Sequence, residues 1–68
     1  MIAVILVDGT PHVNFRTDQA PDVGETVYLD IAKTNRVKVV SREWYRNGNA
    51  DQCVDLHCTR VEKRRKKR

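Results

Sequence analysis

The feature that most constrains this chain is a hydrophobic period near two. Val and Ile dominate its apolar set, and apolar positions alternate with polar ones rather than recurring every 3.6 residues, so no amphipathic helix is expected. β-Branched residues in that pattern suit pleated, half-buried strands. Five strands are predicted: Ile2 to Val7, Pro11 to Arg16, Glu25 to Ile31, Arg36 to Trp44, and Asp51 to Val61.

Turn chemistry assigns a register to each hairpin. Asp8-Gly9 fits a two-residue turn whose central positions both need positive φ, and pairs Val4 with Val13 and Ile2 with Phe15. Lys33-Thr34-Asn35 fits a three-residue loop with Asn left-handed, pairing Ile31 with Val37, Leu29 with Val39, and Asp30 with Lys38 on the opposite face. Asn47-Gly48 fits a further two-residue turn, pairing Ser41 with Val54, Val39 with Leu56 and Val37 with Cys58. Both later turns place Val37 and Val39 on one face, where a one-residue slip would mix core with surface. The polar segment TDQAPDVGE between the first hairpin and this meander reads as a long crossing loop.

Five short strands without helices suggest an all-β barrel or sandwich, because closure removes sheet edges. Gly24-Glu25-Thr26-Val27 resembles the turn-into-strand of KOW-type and related SH3-like barrels found in translation and transcription factors. That resemblance implies a small five-stranded SH3-like barrel with an RNA-binding habit. An OB-like arrangement fits less well, since the helix usual in that fold is lacking.

Sixty-eight residues hold one modest core. The charge is segregated: six of thirteen Lys and Arg lie in 63–68, leaving seven against nine acidic residues in 1–62, a net of −2. The chain is therefore divided into a barrel domain, 1–62, and a basic tail, 63–68. No apolar stretch approaches the roughly 20 residues of a bilayer helix, and no basic segment precedes Ile2 to Val7 as in a signal peptide. Two cysteines are too few for a disulfide framework, and a cytoplasmic, reducing setting is expected.

No catalytic motif is legible: there is no phosphate-cradling glycine loop, metalloprotease helix or serine elbow. The expectation is a non-enzyme without cofactor. Cys53 and His57 share a strand face about 13 Å apart at ~3.3 Å per residue, too far for one zinc ion or, for Cys53 and Cys58, a disulfide. Cys58 points into the core, Cys53 is half-exposed, and no metal is expected.

The solvent face of the meander is predicted to carry Tyr28 beside Val40, with Arg42, Trp44 and Lys38, and with Asp30, Asp55 and His57 nearby. Aromatic rings with arginine on an open sheet suit single-stranded nucleic acid and equally suit protein hot spots, while Trp44 covering an open barrel end is the plainer alternative. With Ile2, Val4 and Leu6 inward, Ala3, Ile5 and Val7 lie outward, which favours a protein partner or a second copy.

Lys63, Arg64, Arg65, Lys66, Lys67 and Arg68 lack apolar residues to offset ordering entropy, so the tail is expected to be disordered until bound. Contact with phosphates is its leading reading, joined by Arg42 and Lys38 on the barrel. Nuclear targeting, an anionic membrane surface and plain solubilisation compete. The expectation is a nucleic-acid-binding accessory protein. The alternative is a protein-binding modulator using Tyr28, Val40 and Trp44, with Ile5 and Val7, similar in size and style to accessory proteins of phages and mobile elements.

Overall fold

All five expected strands form, the first with its expected bounds and the other four with shifted ones. In the computed structural model, residues 1–61 are described; they comprise β1 (Ile2–Val7), β2 (Thr10–Arg16), β3 (Thr26–Tyr28), β4 (Arg36–Arg46) and β5 (Gln52–Arg60). The expected disordered tail, Lys63 to Arg68, lies outside the described residues. The strands make one all-β sheet, ordered β2-β1-β5-β4-β3 and curled into a half-barrel. Neighbours are antiparallel except β1 and β5, whose parallel ladder joins the first hairpin to the meander.

The core lines the inner face. Ala3, Ile5 and Val7 of β1 meet Val54, Leu56 and Cys58 of β5, and Val37 and Val39 of β4 complete the layer. Leu56, Val37, Val39 and Val54 are fully buried. Each such side chain contributes about 1.5–3 kcal/mol of transfer free energy. The loop from Thr17 to Glu25 runs between β2 and β3, at opposite edges of the sheet, and delivers Ala20 into the core. It is tied down at both ends, where the Thr17 amide donates to the Met1 carbonyl (3.0 Å) and the Gly24 amide to that of Val39 (2.8 Å).

Each hairpin register departs from the expected one. Asp8 and Gly9 do adopt positive φ, 52° and 83°, so the first turn forms where expected. Beyond Leu6–Pro11, however, His12 is an extra residue in β2, and Val13 pairs with Ile5 and Phe15 with Ala3. One inserted residue reverses the alternation of β2 relative to β1, so Val13 and Phe15 share the face of Ile5 and Ala3 rather than that of Val4 and Ile2. Ile5 and Val7, expected to face a partner, are buried because the parallel ladder sets Ala3, Ile5 and Val7 beside the buried Val54, Leu56 and Cys58, and Ile2, Val4 and Leu6 point outward, half-buried. Pro11 sits beside this bulge in an edge strand, where its missing amide costs least.

β3 is also shorter than expected. Val27 pairs with Val37 and Tyr28 with Arg36, four residues from the register with Leu29 opposite Val39. Four is even, so Val27 keeps the inward face while residues 29–35 become loop and Ile31 is left 98% exposed.

At the third turn the left-handed residue is Ala50 (φ 66°) rather than Gly48. The Asn47 carboxamide oxygen accepts from the amides of Asn49 (2.9 Å) and Asp51 (3.0 Å), which organises a longer loop. Trp44 consequently pairs with Val54, and Arg42 with Leu56. A bulge at Val40 then exchanges the faces of β4: Val37 and Val39 are inward below it, Arg42 and Trp44 above it.

Candidate nucleic-acid interface

Because Val27, Val37 and Val39 turn inward, alternation sends Thr26 and Tyr28 of β3 and Arg36 and Lys38 of β4 to the outer face. Tyr28 stands directly opposite Arg36, and Thr26 opposite Lys38. Residues 29–35 add a third cation to this pair. The Leu29 amide donates to the Asn35 carbonyl (2.8 Å), the Lys33 amide to that of Asp30 (3.1 Å), and Lys33 takes a left-handed φ of 61°. The Lys33 ammonium is thereby held 5.8 Å from the centroid of the Tyr28 ring.

Asp30 organises this loop. Its carboxylate accepts from the amides of Thr34 (3.1 Å) and Asn35 (3.0 Å) and from the Thr34 hydroxyl. These bonds, the hydroxyl's foremost, hold its pKa below the ordinary carboxylate value. Its oxygens serve the loop backbone, and it does not face Lys38 as its sequence position suggests.

A cleft of about 190 Å³ results, lined by Tyr28, Lys33, Thr34, Arg36 and Val61. The Val61 amide donates to the Arg36 carbonyl (3.0 Å), continuing the β4–β5 ladder past Arg60. The basic segment thus departs in sequence two residues after the wall of the cleft. Among the described residues Arg42 pairs with Asp22 and the His57 imidazole meets Glu43, so Lys33, Arg36 and Lys38 have no described carboxylate partner.

The residues expected to form one surface fall into three places. Tyr28, 44% exposed, and Lys38 share the outer face. Arg42 and Trp44 lie on the inner face near the far end of β4, because the Val40 bulge reverses the alternation between Lys38 and Arg42. There the Arg42 guanidinium sits 5.4 Å from the Trp44 ring, 3.3 Å from the Asp22 carboxylate and 3.3 Å from the Pro21 carbonyl, binding β4 to the crossing loop. Val40 is half-exposed at the bulge and pairs with neither Tyr28 nor any other described strand residue. Of the residues lining the cleft only Tyr28 was among the expected contacts, and its two cations, Lys33 and Arg36, were not. Arg36 was detectable, being two residues from Lys38 on one strand, whereas Lys33 reaches Tyr28 only through the folded loop.

Elsewhere on the outer face, Glu43, Asp55 and His57 bring one donor atom each within 4.8 Å of one another. His57 Nε2 lies 3.1 Å from Glu43 Oε1, and the Tyr45 hydroxyl donates to Asp55 Oδ1 (3.1 Å), pushing the Tyr45 phenol above its ordinary pKa. His57 thus faces Ser41 and Glu43 rather than Lys38. Cys53 is buried, not half-exposed, and Cys58 is buried in the core, where desolvation pushes its thiol up. Both thiols are free. No helix among the described residues is long and apolar enough to cross a membrane.

Comparison with protein-family models, curated proteins and solved structures finds no match to this chain.

Proposed function

We propose that this chain is a non-enzymatic, intracellular nucleic-acid-binding accessory protein, in which Lys63 to Arg68 contact phosphates and the sheet docks beside them. The observation that carries this reading is the outer cleft, where Lys33 and Arg36 flank an aromatic ring, Lys38 extends the same face, and Val61 leads into the six cations. Cations so placed act on phosphates by releasing counterions, which gives affinity that falls steeply with salt. The likeness of Gly24-Glu25-Thr26-Val27 to the entry strand of KOW-type, SH3-like barrels supports it, since that segment runs directly into Tyr28.

The test is fluorescence anisotropy of the full chain and of residues 1–62 with DNA and RNA oligonucleotides at low and moderate salt. Full-length protein is expected to bind with a steep salt slope, near −0.7 per phosphate neutralised on single strands. Removal of 63–68 should flatten that slope and weaken binding. Absence of binding by both forms would sink the proposal.

A protein-binding modulator, of the kind phages and mobile elements encode, is the second reading. Its support is that Trp44 and Val40 are about half-exposed, 47% and 50%, although both are large and apolar. Such an activity would survive truncation at residue 62 and would be lost on Trp44→Ala.

A further inference from the structure

We infer that the cleft at Tyr28 is a base-stacking subsite, so that the nucleic acid this protein prefers is single-stranded. The inference rests on the nucleic-acid reading and adds a strand preference that a row of cations alone would not confer.

Three observations lead there. First, the Tyr28 ring is 44% exposed within a concave cleft whose other walls include two cations and a hydroxyl, from Lys33, Arg36 and Thr34. An aromatic wall beside cations matches a nucleotide, with a flat π-face next to a charged phosphate. An inorganic phosphate or an acidic side chain would leave the ring without a use. Second, the Lys33 ammonium approaches the ring at 5.8 Å, near the outer limit of a cation–π contact. A weak contact on a flexible stem is readily displaced, which frees the ammonium to follow the phosphate while a base takes the ring. Third, Val61 is a wall of the cleft, its amide donates to the Arg36 carbonyl, and the six cations follow in sequence after Glu62. One strand can therefore engage both, and the second contact becomes intramolecular, at high effective concentration.

Duplex cannot use the ring in this way. Both faces of a paired base are occupied by its neighbours, and extruding one costs a few kcal/mol. Duplex is left with the phosphate contacts, which do not discriminate between strands.

The experiment compares full-length protein with Tyr28→Ala, Tyr28→Phe and Arg36→Ala variants, titrated against single-stranded and duplex oligonucleotides of one sequence at fixed salt. Circular dichroism establishes that each variant is folded. Tyr28→Ala should weaken single-strand binding by roughly 5- to 100-fold and leave duplex binding unchanged, with Tyr28→Phe restoring the preference. Arg36→Ala should weaken both. Equal affinity for both strands, indifferent to Tyr28→Ala, would overturn the subsite while leaving the nucleic-acid reading intact. Binding to neither oligonucleotide, with capture of a polyglutamate peptide instead, would overturn both.

Discussion

Individual residues of this fold carry unequal weight. Leu56 is fully buried at the middle of β5, flanked by Ile5 on β1 and Arg42 on β4. Leu56→Ala should cost about 2–5 kcal/mol through lost transfer energy and a residual cavity. At roughly 0.1 kcal/mol per residue the whole stability of the 68-residue chain is about 7 kcal/mol, so the urea midpoint should fall by roughly a third to three quarters. Tyr45 bears on pH instead. Its phenol is raised chiefly because its hydroxyl donates to Asp55, whose charge the phenolate would face. The folded state holds that proton more tightly than the unfolded chain, so the contribution is intact below the unfolded pKa near 10. It is lost as pH rises through the higher folded value. Asp55→Asn should lower the Tyr45 titration midpoint, read by tyrosinate absorbance; an unchanged midpoint would exclude the carboxylate as the cause.

Among the elements, the 29–35 loop sets the cleft geometry. Asp30 is its organiser, accepting from two backbone amides and one hydroxyl. Its depressed pKa means this support is present above the unfolded carboxylate value and fades as pH falls through the folded one. Asp30→Ala should accelerate hydrogen exchange at the Thr34 and Asn35 amides and, by loosening the loop that keeps Lys33 at the cleft, weaken oligonucleotide binding without unfolding the sheet. Retained protection at both amides would show that the backbone holds the loop unaided. The two bulges have consequences of another kind. His12 turns Val13 and Phe15 onto the face of Ile5 and Ala3, and Val40 turns Arg42 and Trp44 to the inner face, so a single extra residue in each strand redistributes the side chains above it.

For the molecule as a whole, two connections hold the half-barrel together. One is the parallel β1–β5 ladder, six residue pairs long from Ile2–Cys53 to Val7–Cys58. The other is the crossing loop, fastened at its middle by Arg42, which meets the Asp22 carboxylate, the Pro21 carbonyl and the Trp44 ring. The ion pair is partly exposed and weak alone, worth at most about 1 kcal/mol. With the carbonyl hydrogen bond and the stacked ring, Arg42→Ala should cost about 1–2 kcal/mol. Asp22→Asn should cost less than half of that. Equal urea midpoints for the two variants would assign the whole effect to the ion pair.

Period-two alternation and β-branched composition were enough to determine an all-β chain, the approximate places of five strands, the Asp8-Gly9 turn, and the inward direction of Val37, Val39 and Cys58. These are local matters, settled by the geometry of a pleat and by the φ values that glycine and its neighbours tolerate. Tyr28 and Lys38 could be put on one face for the same reason, and Arg36 with them. Register was not local. Asn47 spends its carboxamide on the loop and hands the left-handed position to Ala50, and the bulges at His12 and Val40 reverse faces that counting alone would keep. Only tertiary structure decided that the first strand pairs with the last, that Arg42 turns inward to the crossing loop, and that Lys33 arches over Tyr28. The first two join residues far apart in the chain, by contacts that no short window of sequence contains, and the third depends on the hydrogen bonds that fold residues 29–35.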